Sequence, residues 1–349
     1  MSNSDAPRAI PWRLMAVNFH YMGPEGLYPH GAIYPTTSEQ LENQIKLLSG
    51  ACRFISGSEL SGAVRDNTLL PDHSCLITFD DGLRCQFETA LPILDSMGIP
   101  AMFFASAKPI LEGRALAVHK IHHVRAHLSG AEIRIALARY LDVSEIEMSR
   151  VLESERVAAI ACYLYDDPEA AMLKWLLNFR MPPADRDRFM VELFDRLVSD
   201  ERAWCEAMYM SEQELSVLAR RGMLANHTYD HLPLSTLADD QVEWQIRYNR
   251  EMLGKICGES PLPLISYPYG SKEAVSRSVA EVAAKLGIMA GVTTEKAVNL
   301  TLADPLLLAR IGFNEAPGGK RNLVTIQDGR ISISPPMTLG RTRYIREAS

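Results

Sequence analysis

Two adjacent carboxylates, Asp80 and Asp81, follow a short apolar segment and precede Gly82. Residues 75–79 have the composition of a buried strand, so both carboxylates are expected where that strand ends. Two like charges side by side are unfavourable unless a cation or a shared proton relieves them. The pair therefore indicates a cation site or an acid–base site. The alternative is an ordinary turn, because Asp and Gly are common turn formers.

A second candidate is the pair His227 and His231, which are four residues apart. On one helical turn both imidazoles would point the same way, and proteins use this spacing to hold a divalent metal with two nitrogens. The alternative is a pair of surface or packing histidines. Two histidines and one carboxylate from another strand end form the usual open catalytic metal site, which leaves a position for water.

A third candidate is the turn Tyr267-Pro268-Tyr269-Gly270, which follows a predicted strand. A rigid turn of this kind exposes backbone N–H groups, and such groups can stabilise a developing oxyanion. By itself the turn carries little information, and it becomes informative only beside the other two candidates.

The elements that position these residues alternate between strand and helix. Residues 75–79, 84–97 and 99–105 form a predicted strand, helix and strand, so the two strands should be parallel. In parallel α/β folds, ligands bind at the carboxyl ends of the strands. Further strands are predicted at 14–21, 53–55, 223–226, 264–267, 288–293 and 306–311, with helices starting at Thr37 or Ser38 and covering 211–221, 238–257 and 275–286. This alternation predicts a barrel-like α/β architecture, followed by a hairpin over 322–334.

One long stretch departs from this alternation. Residues 108–210 carry an almost entirely helical pattern, with helices predicted at 131–140, 145–165, 170–179 and 184–197. We predict a single domain over 1–349, interrupted by this helical insertion. The insertion packs beside or over the strand ends, either as a lid or recognition surface or as a stabilising cap without substrate contact.

Composition limits the class of protein. The chain has 349 residues, 47% of them hydrophobic and 23% charged, with a formal net charge of −7, which is ordinary for a soluble globular protein and unfavourable for nucleic-acid binding. Its 6 cysteines form no CxxC pair, so reduced thiols are expected. Residues 1–11 lack the features of a signal peptide, and no apolar run reaches the roughly 18 residues that span a bilayer. These features favour a cytoplasmic location.

Three segments of the chain resemble, in their order, the motifs of the polysaccharide deacetylase family. They are Thr78-Phe79-Asp80-Asp81-Gly82, His227-Thr228-Tyr229-Asp230-His231 and the third turn. This family is that of the NodB homology domain, or carbohydrate esterase family 4, and the resemblance covers roughly residues 12–107 and 208–315. It implies a distorted (β/α) barrel that hydrolyses an N-acetyl group from an amino sugar. It also implies that Asp81, His227 and His231 bind a divalent metal, usually zinc. Asp80 would be the general base, and the backbone N–H of Tyr269 would form the oxyanion hole.

The chain departs from the family pattern at two points. Ser266 stands where members often carry an arginine that orients the base, and no histidine follows His231 to protonate the leaving amine. Arg310, at a predicted strand end, is a candidate for the orienting guanidinium; the alternative is a surface or structural ion pair. His20, after the first strand, and His119, in the insertion, are candidates for the acid, although most lone histidines are structural or exposed.

The leading hypothesis is a metal-dependent N-deacetylase in bacterial surface-polysaccharide biosynthesis of the O-antigen or capsule type. Its substrate would be a nucleotide- or lipid-linked acetamido sugar, or a glycan, with no nucleic-acid partner. One alternative keeps the metal hydrolase and changes the substrate to a formyl or non-sugar amide. Another is a catalytically silent homologue that binds glycan.

Overall fold

A parallel β-sheet forms the centre of the computed structural model, which describes residues 12–25, 32–327, 330–333 and 338–339. The strands, numbered along the chain, are β1 Leu14–Phe19, β2 Arg53–Phe54, β3 Ser74–Phe79, β4 Ala101–Ala105, β5 Leu224–Asn226, β6 Leu264–Ser266, β7 Ala290–Val292, β8 Ala297–Val298, β9 Arg310–Gly312, β10 Val324–Gln327, β11 Arg330–Ile333 and β12 Thr338–Leu339. Seven of them lie side by side in the order β7-β6-β5-β4-β3-β1-β9, and β2 pairs with β3. Their carboxyl ends therefore share one edge of the sheet.

The segment 308–312 nearly closes this sheet into a barrel. Leu308 forms a bridge with Val292 at the β7 edge, and β9 pairs in parallel with β1 at the other edge. The predicted distorted (β/α) barrel is therefore confirmed. The predicted strand at 306–311 is wrong in its bounds, since residues 305–307 form a 3₁₀ turn and the strand begins at Arg310.

Alternate residues of β1 and β3 contribute to two different buried clusters. Met15, Val17, Ile77 and Phe79 belong to the larger cluster, whereas the neighbouring residues face a second one. Successive side chains of a strand point to opposite faces, and a parallel sheet covered on both sides is apolar on both. On the second face the side chains become polar toward the carboxyl ends, at Asn18, Thr78 and, just past the strand, Asp80. The active-site candidates stand at this polar end.

The α-helices surround the barrel and fill the interval between β4 and β5. They are α1 Ser38–Ser49, α2 Gly57–Arg65, α3 Leu91–Met97, α4 Lys108–Glu112, α5 Ala117–His127, α6 Gly130–Tyr140, α7 Glu145–Ser154, α8 Arg156–Cys162, α9 Pro168–Trp175, α10 Pro183–Phe194, α11 Glu201–Met208, α12 Glu212–Arg220, α13 Asp239–Cys257 and α14 Arg277–Lys285. Thr37 and Ser211 begin α1 and α12 with capping boxes, as their sequences predict. None of the helices in the described part of the chain combines the length and apolar composition that a membrane crossing requires.

The insertion is helical, and no strand occurs within the described residues 106–223. The single helix predicted over 145–165 is wrong, because the chain turns at Glu155 into a separate α8 that ends at Cys162. The helices α5 to α10 enclose a buried apolar cluster of their own, which includes Leu137, Leu173 and Phe189. The domain boundaries themselves remain a prediction.

Two terminal predictions involve residues outside the description. The strands β10 and β11 pair antiparallel, as expected for the predicted hairpin, but its turn at Asp328 and Gly329 lies outside the described residues. Residues 1–11, interpreted above as lacking a signal peptide, also lie outside them.

Candidate metal centre and active site

Asp81, His227 and His231 converge at the carboxyl end of the barrel. Asp81 Oδ1 lies 3.3 Å from His227 Nε2 and 3.4 Å from His231 Nε2, and all three residues are buried. Ligands that bind zinc tetrahedrally at about 2.0–2.1 Å stand about 3.3 Å from one another, so this spacing fits an ion between them. Asp81 Oδ1 also lacks a hydrogen-bond partner among the described residues, which is costly for a buried oxygen unless a cation binds it.

The HxxxH segment reaches this arrangement without a helix, so the predicted helical turn is wrong. Residues 227–231 form a loop after β5, with Thr228 at φ +62° and His231 at φ +54°. Residues in the left-handed region cannot continue a right-handed helical turn, and here they fold the loop back on itself. The two imidazole rings end 4.9 Å apart, measured between their centroids.

Each histidine presents its Nε2 atom to the same point. His227 Nδ1 lies 2.7 Å from the carbonyl oxygen of Ser266, so Nδ1–H donates to it and the Nε2 lone pair remains free. Burial lowers the pKa of His231 to about 3, which keeps that imidazole neutral. Burial would raise the pKa of Asp81, but the histidines around it, His119 first, hold it well below its usual value. Burial would lower the pKa of His227, but Asp80 and Asp81 raise it, so a metal that binds Nε2 would displace a proton from this ring. Two imidazole nitrogens and one carboxylate form a donor set that suits a divalent metal.

Asp80 points to a different partner, the guanidinium of Arg310. Arg310 Nη1 donates to Oδ1 at 2.8 Å and Nη2 donates to Oδ2 at 2.6 Å, while Asn18 Nδ2 donates to Oδ2 at 3.1 Å. Burial opposes the charged form, but the bidentate guanidinium outweighs it and lowers the pKa of Asp80 to about 2. Asp80 is therefore a carboxylate at neutral pH.

Arg310 lies beside Ser266, the residue that stands at the position of the family's arginine. Its side chain is 1% exposed, and Nη2 donates to Ser266 Oγ at 2.8 Å while Nε donates to the carbonyl oxygen of Thr293 at 3.2 Å. A surface position for Arg310 is therefore wrong, because the pair is buried, whereas the alternative of a structural ion pair agrees with this burial. Whether the guanidinium orients Asp80 during catalysis stays a prediction.

The two acid candidates occupy different surroundings. His20 Nε2 lies 3.9 Å from Asp80 Oδ2, and its side chain is 47% exposed. His119 is 1% exposed, and its Nε2 lies 3.2 Å from Asp81 Oδ2. Both histidines therefore reach the site, and of the two only His20 is open to solvent.

Tyr209, which sequence reasoning missed, sets the tautomer of His119. Its hydroxyl accepts from the backbone N–H of Leu116 at 3.1 Å and lies 2.5 Å from His119 Nδ1. The hydroxyl proton is thus available to Nδ1, which places the ring proton of His119 on Nε2, facing Asp81. No motif marks Tyr209, because it meets His119 only after the insertion folds.

The third turn is strained where it faces the metal ligands. Tyr269 has φ +61°, its ring lies 4.9 Å from that of His231, and its hydroxyl donates to Asn178 Oδ1 at 2.9 Å. At Gly270, φ is +60° and a Cβ atom would lie 2.7 Å from the backbone nitrogen of Thr294. The oxyanion role of the Tyr269 N–H remains a prediction.

Gln86 and Asn178 also complete the site without any signal in their local sequence. Gln86 Nε2 donates to the carbonyl oxygens of Asp80 at 2.6 Å and of His20 at 2.9 Å, so it ties the ends of β1 and β3 together. Asn178 joins the insertion to Tyr269. Every predicted site residue therefore lies at this end of the barrel, and the sequence missed mainly the residues that support them.

Residues 199–291, which include both metal-ligand histidines and the third turn, match the family model described as polysaccharide deacetylase. This match covers 93 of the 349 residues and confirms the resemblance of the chain to the polysaccharide deacetylase family. The match supports an N-deacetylase hydrolase, and members of that family act on acetylated sugars or glycans. None of the curated proteins compared with the chain matches it significantly.

Solved structures are similar to this chain at low sequence identity. IcaB from Ammonifex degensii is 15% identical with a TM-score of 0.52, over 86% of this chain and 92% of that one. The Streptococcus pyogenes deacetylase PplD in complex with acetate is 16% identical with a TM-score of 0.49, again over 86% and 92%. A de-N-acetylase from Aggregatibacter actinomycetemcomitans is 12% identical with a TM-score of 0.49, over 85% and 94%. The likeness to IcaB shows a common fold.

Proposed function

We propose that this deacetylase is a metal-dependent hydrolase that removes an N-acetyl group from an acetamido sugar in bacterial surface-polysaccharide biosynthesis. The observation that carries the proposal is the convergence of Asp81, His227 and His231 beside the buried Asp80–Arg310 pair. An acetamide is a poor electrophile, so its hydrolysis needs an activated water, a stabilised oxyanion and a proton for the leaving amine.

The side chains of the site divide these tasks. A divalent cation held by the two histidines and Asp81 would polarise the acetyl carbonyl and make water more acidic. Asp80 is adjacent to a ligand but points toward Arg310, which keeps it ionised, and we assign this carboxylate to accept the proton of the attacking water. The N–H of Tyr269 is assigned to the oxyanion, and His20 or His119 to the leaving amine.

Zinc is the metal that we propose for this site. Two imidazole nitrogens and one carboxylate oxygen, with a position left open, form the donor set of many catalytic zinc sites. The residues fit this group, because the three ligand atoms lie within 4.8 Å of one another and are buried.

A nucleotide- or lipid-linked sugar, modified in the cytoplasm before export, is the substrate that we propose over mature cell-wall glycan. The six cysteines are free thiols, which fits a reducing compartment. The O-antigen or capsule pathway is part of this proposal.

The experiment compares wild type with Asp80→Asn and Asp81→Asn after metal analysis of all three proteins. We expect Asp80→Asn to keep its zinc and lose about 10²–10⁴-fold in acetate release from an acetamido sugar, because a general base contributes that much. Asp81→Asn should lose both zinc and turnover. Equal activity in Asp80→Asn and wild type would contradict the assignment of the base.

The same assay separates the alternatives. Release of formate, but not acetate, from matched acylated sugars would favour a deformylase. Zinc and sugar binding without turnover in wild type would favour a silent glycan-binding protein. Activity that persists after the metal is removed by a chelator would remove the basis of the proposal.

A further inference from the structure

One face of α5 leads away from the metal ligands into the insertion. His119, His122 and Arg125 follow one another at intervals of three residues, so each lies beside the last on the helix surface. Together they span about 9 Å along the helix axis while turning about 120° around it. His119 lies against Asp81, and the Nδ1 atom of His122 lies 3.0 Å from the hydroxyl of Tyr21. Arg125 is thus placed farther from the metal site than one sugar ring is wide.

At the far end of this face, two cations share one carboxylate. Asp166 lies 3.1 Å from Arg125 Nη2 and 2.7 Å from Lys174 Nζ. The side chain of Arg125 is 10% exposed and that of Lys174 is 15% exposed, so the triad is largely withdrawn from solvent. It carries one more positive charge than negative, and an uncompensated charge at a buried position is unfavourable.

Arg125 also has an unused donor. Its Nη1 atom is buried and has no hydrogen-bond partner among the residues that the structure describes. An arginine presents its donors in a fixed fork that matches the oxygens of a phosphate. The net charge and the free donor therefore both indicate an anionic ligand.

A second chain of contacts connects the same triad to the metal site. The ring of Tyr269 packs against His231, and its hydroxyl donates to Asn178, whose Nδ2 donates to the Tyr163 hydroxyl at 3.0 Å. Lys174 Nζ lies 4.1 Å from the centroid of the Tyr163 ring. The α5 face and this chain both begin at a metal ligand and end at the Arg125–Asp166–Lys174 triad.

We infer that Arg125 and Lys174 form an anion subsite that binds the diphosphate of an activated acetamido sugar whose acetamide lies at the metal centre. The inference rests on the proposed function and adds the linkage that the substrate carries. Because the triad lies more than one ring width from the metal ligands, it would contact a group beyond the sugar that is deacetylated. A nucleotide and a lipid carrier both supply this diphosphate.

The first measurement is kcat/KM for acetate release by the zinc-loaded protein from three probes. These are uridine diphosphate N-acetylglucosamine, a short-chain prenyl diphosphate N-acetylglucosamine and methyl N-acetylglucosaminide. We expect at least one diphosphate to exceed the methyl glycoside by about tenfold or more, because a charge-assisted hydrogen bond contributes about 1.5–3 kcal/mol. Preference for one diphosphate distinguishes a nucleotide from a lipid source. Equal values for all three probes would overturn the inference and leave the deacetylase function standing.

The second measurement uses Arg125→Gln and Lys174→Met, each of which leaves Asp166 paired with the remaining cation. Both variants should reduce the preference for the diphosphate probes about tenfold, mainly by raising KM. The control Arg188→Gln should keep the preference, because the Arg188 side chain on α10 is 70% exposed. An unchanged preference in the two triad variants, with thermal unfolding like wild type, would also overturn the inference.

A binding measurement keeps the two proposals separate. Calorimetric titration of the zinc-loaded protein with pyrophosphate should show binding that Arg125→Gln weakens about tenfold and Arg188→Gln does not. Such binding without acetate release from any probe would support the anion subsite and contradict the proposed function. Pyrophosphate binding that is equal in Arg125→Gln and wild type would contradict the subsite directly.

Discussion

At the residue scale, the charge of Asp80 is controlled by one buried arginine. The guanidinium of Arg310 outweighs the effect of burial and lowers the pKa of Asp80 to about 2 in the metal-free protein, from a usual value of about 3.8. A carboxylate whose folded pKa is depressed stabilises the fold above its unfolded pKa, and this stabilisation is lost as the pH falls through the folded pKa. The stabilisation that Asp80 contributes is therefore lost as the pH falls from about 4 to about 2.

Replacing Arg310 with methionine should destabilise the metal-free protein by about 3–5 kcal/mol at pH 7, because it leaves a buried carboxylate without its partner. The difference in unfolding free energy between variant and wild type should begin to narrow above pH 4, because burial without the guanidinium raises the pKa of Asp80 in the variant, and it should keep narrowing until about pH 2. Urea unfolding at a series of pH values measures both effects. Arg277→Met, which removes an exposed partner of Asp304, should change stability by less than about 1 kcal/mol. If the difference in unfolding free energy between Arg310→Met and wild type does not vary with pH, the pKa of Asp80 does not depend on Arg310.

The exposure of His20 makes it the stronger candidate for the general acid. Its side chain is 47% exposed beside Asp80, whereas His119 is enclosed between Asp81 and Tyr209. A proton donor must reach the leaving amine of a bound substrate, and a buried ring that already faces a metal ligand is less able to do so.

His20→Gln should therefore lower acetate release from an acetamido sugar about 10²-fold or more, because an amine leaves poorly without a proton. Hydrolysis of 4-nitrophenyl acetate should stay near wild type, since its phenolate leaves without protonation. His119→Gln, in contrast, should lower zinc affinity about 10–100-fold, as expected for a partner of a metal ligand. Equal losses on both substrates in His20→Gln, with full zinc content, would contradict the acid role.

At the scale of elements, backbone strain is concentrated in the loops of the site. Asp81, Thr228, His231 and Tyr269 all have φ between +54° and +79°. Among the described residues, the other non-glycine positions with positive φ are Asn67, His73 and Asp142. Such conformations cost about 1–3 kcal/mol each and persist only where the surrounding structure enforces them. Here they lie at the carboxyl ends of strands, where they aim side chains at one point.

The strained turn after β6 also requires glycine at position 270. Gly270→Ala should destabilise the protein by clearly more than Gly258→Ala, although both positions have positive φ, +60° and +71°. A Cβ at 270 would lie 2.7 Å from the backbone nitrogen of Thr294, whereas no atom lies within 4 Å of a Cβ at 258. Thermal unfolding of the two variants measures how much destabilisation steric crowding at position 270 adds to the backbone strain that both positions share. Equal losses would show that backbone strain alone accounts for both.

At the scale of the whole molecule, the metal site joins distant parts of the barrel. Asp81 follows β3, the two histidines follow β5, and β4 lies between these strands. A ligand that binds only the folded arrangement stabilises it by mass action. The metal centre is therefore expected to contribute to stability as well as to activity.

Zinc at about 100 times its dissociation constant should raise the free energy of unfolding by about 2.7 kcal/mol and Tm by about 4 °C. Differential scanning fluorimetry of the chelator-treated protein, with and without zinc, measures this shift. Asp81→Asn should lose most of the shift. Asp72→Asn should retain it, because Asp72 precedes β3 whereas Asp81 follows it, and the Asp72 side chain is 57% exposed and pairs with Arg13. The same shift in Asp81→Asn and wild type would place the zinc elsewhere.

Local sequence determined the strands, most helix starts and the residues that carry the chemistry. The apolar segment before Asp80 predicts β3, and the capping boxes at Thr37 and Ser211 predict where α1 and α12 begin, because these signals act over only a few residues. The order of the three motifs was sufficient to indicate the family. The sequence also identified Arg310 as a candidate for the guanidinium that orients the base Asp80, but not the burial and bidentate geometry of that pair.

Only the tertiary structure decided how those residues meet. The loop form of the HxxxH segment, the buried Arg310–Asp80 pair and the contact of Tyr209 with His119 all depend on side chains that are far apart in the chain. The physical reason is that backbone strain and buried charge are unfavourable in isolation. They are stable here because packing of the closed barrel and the helical insertion supplies their partners at fixed positions.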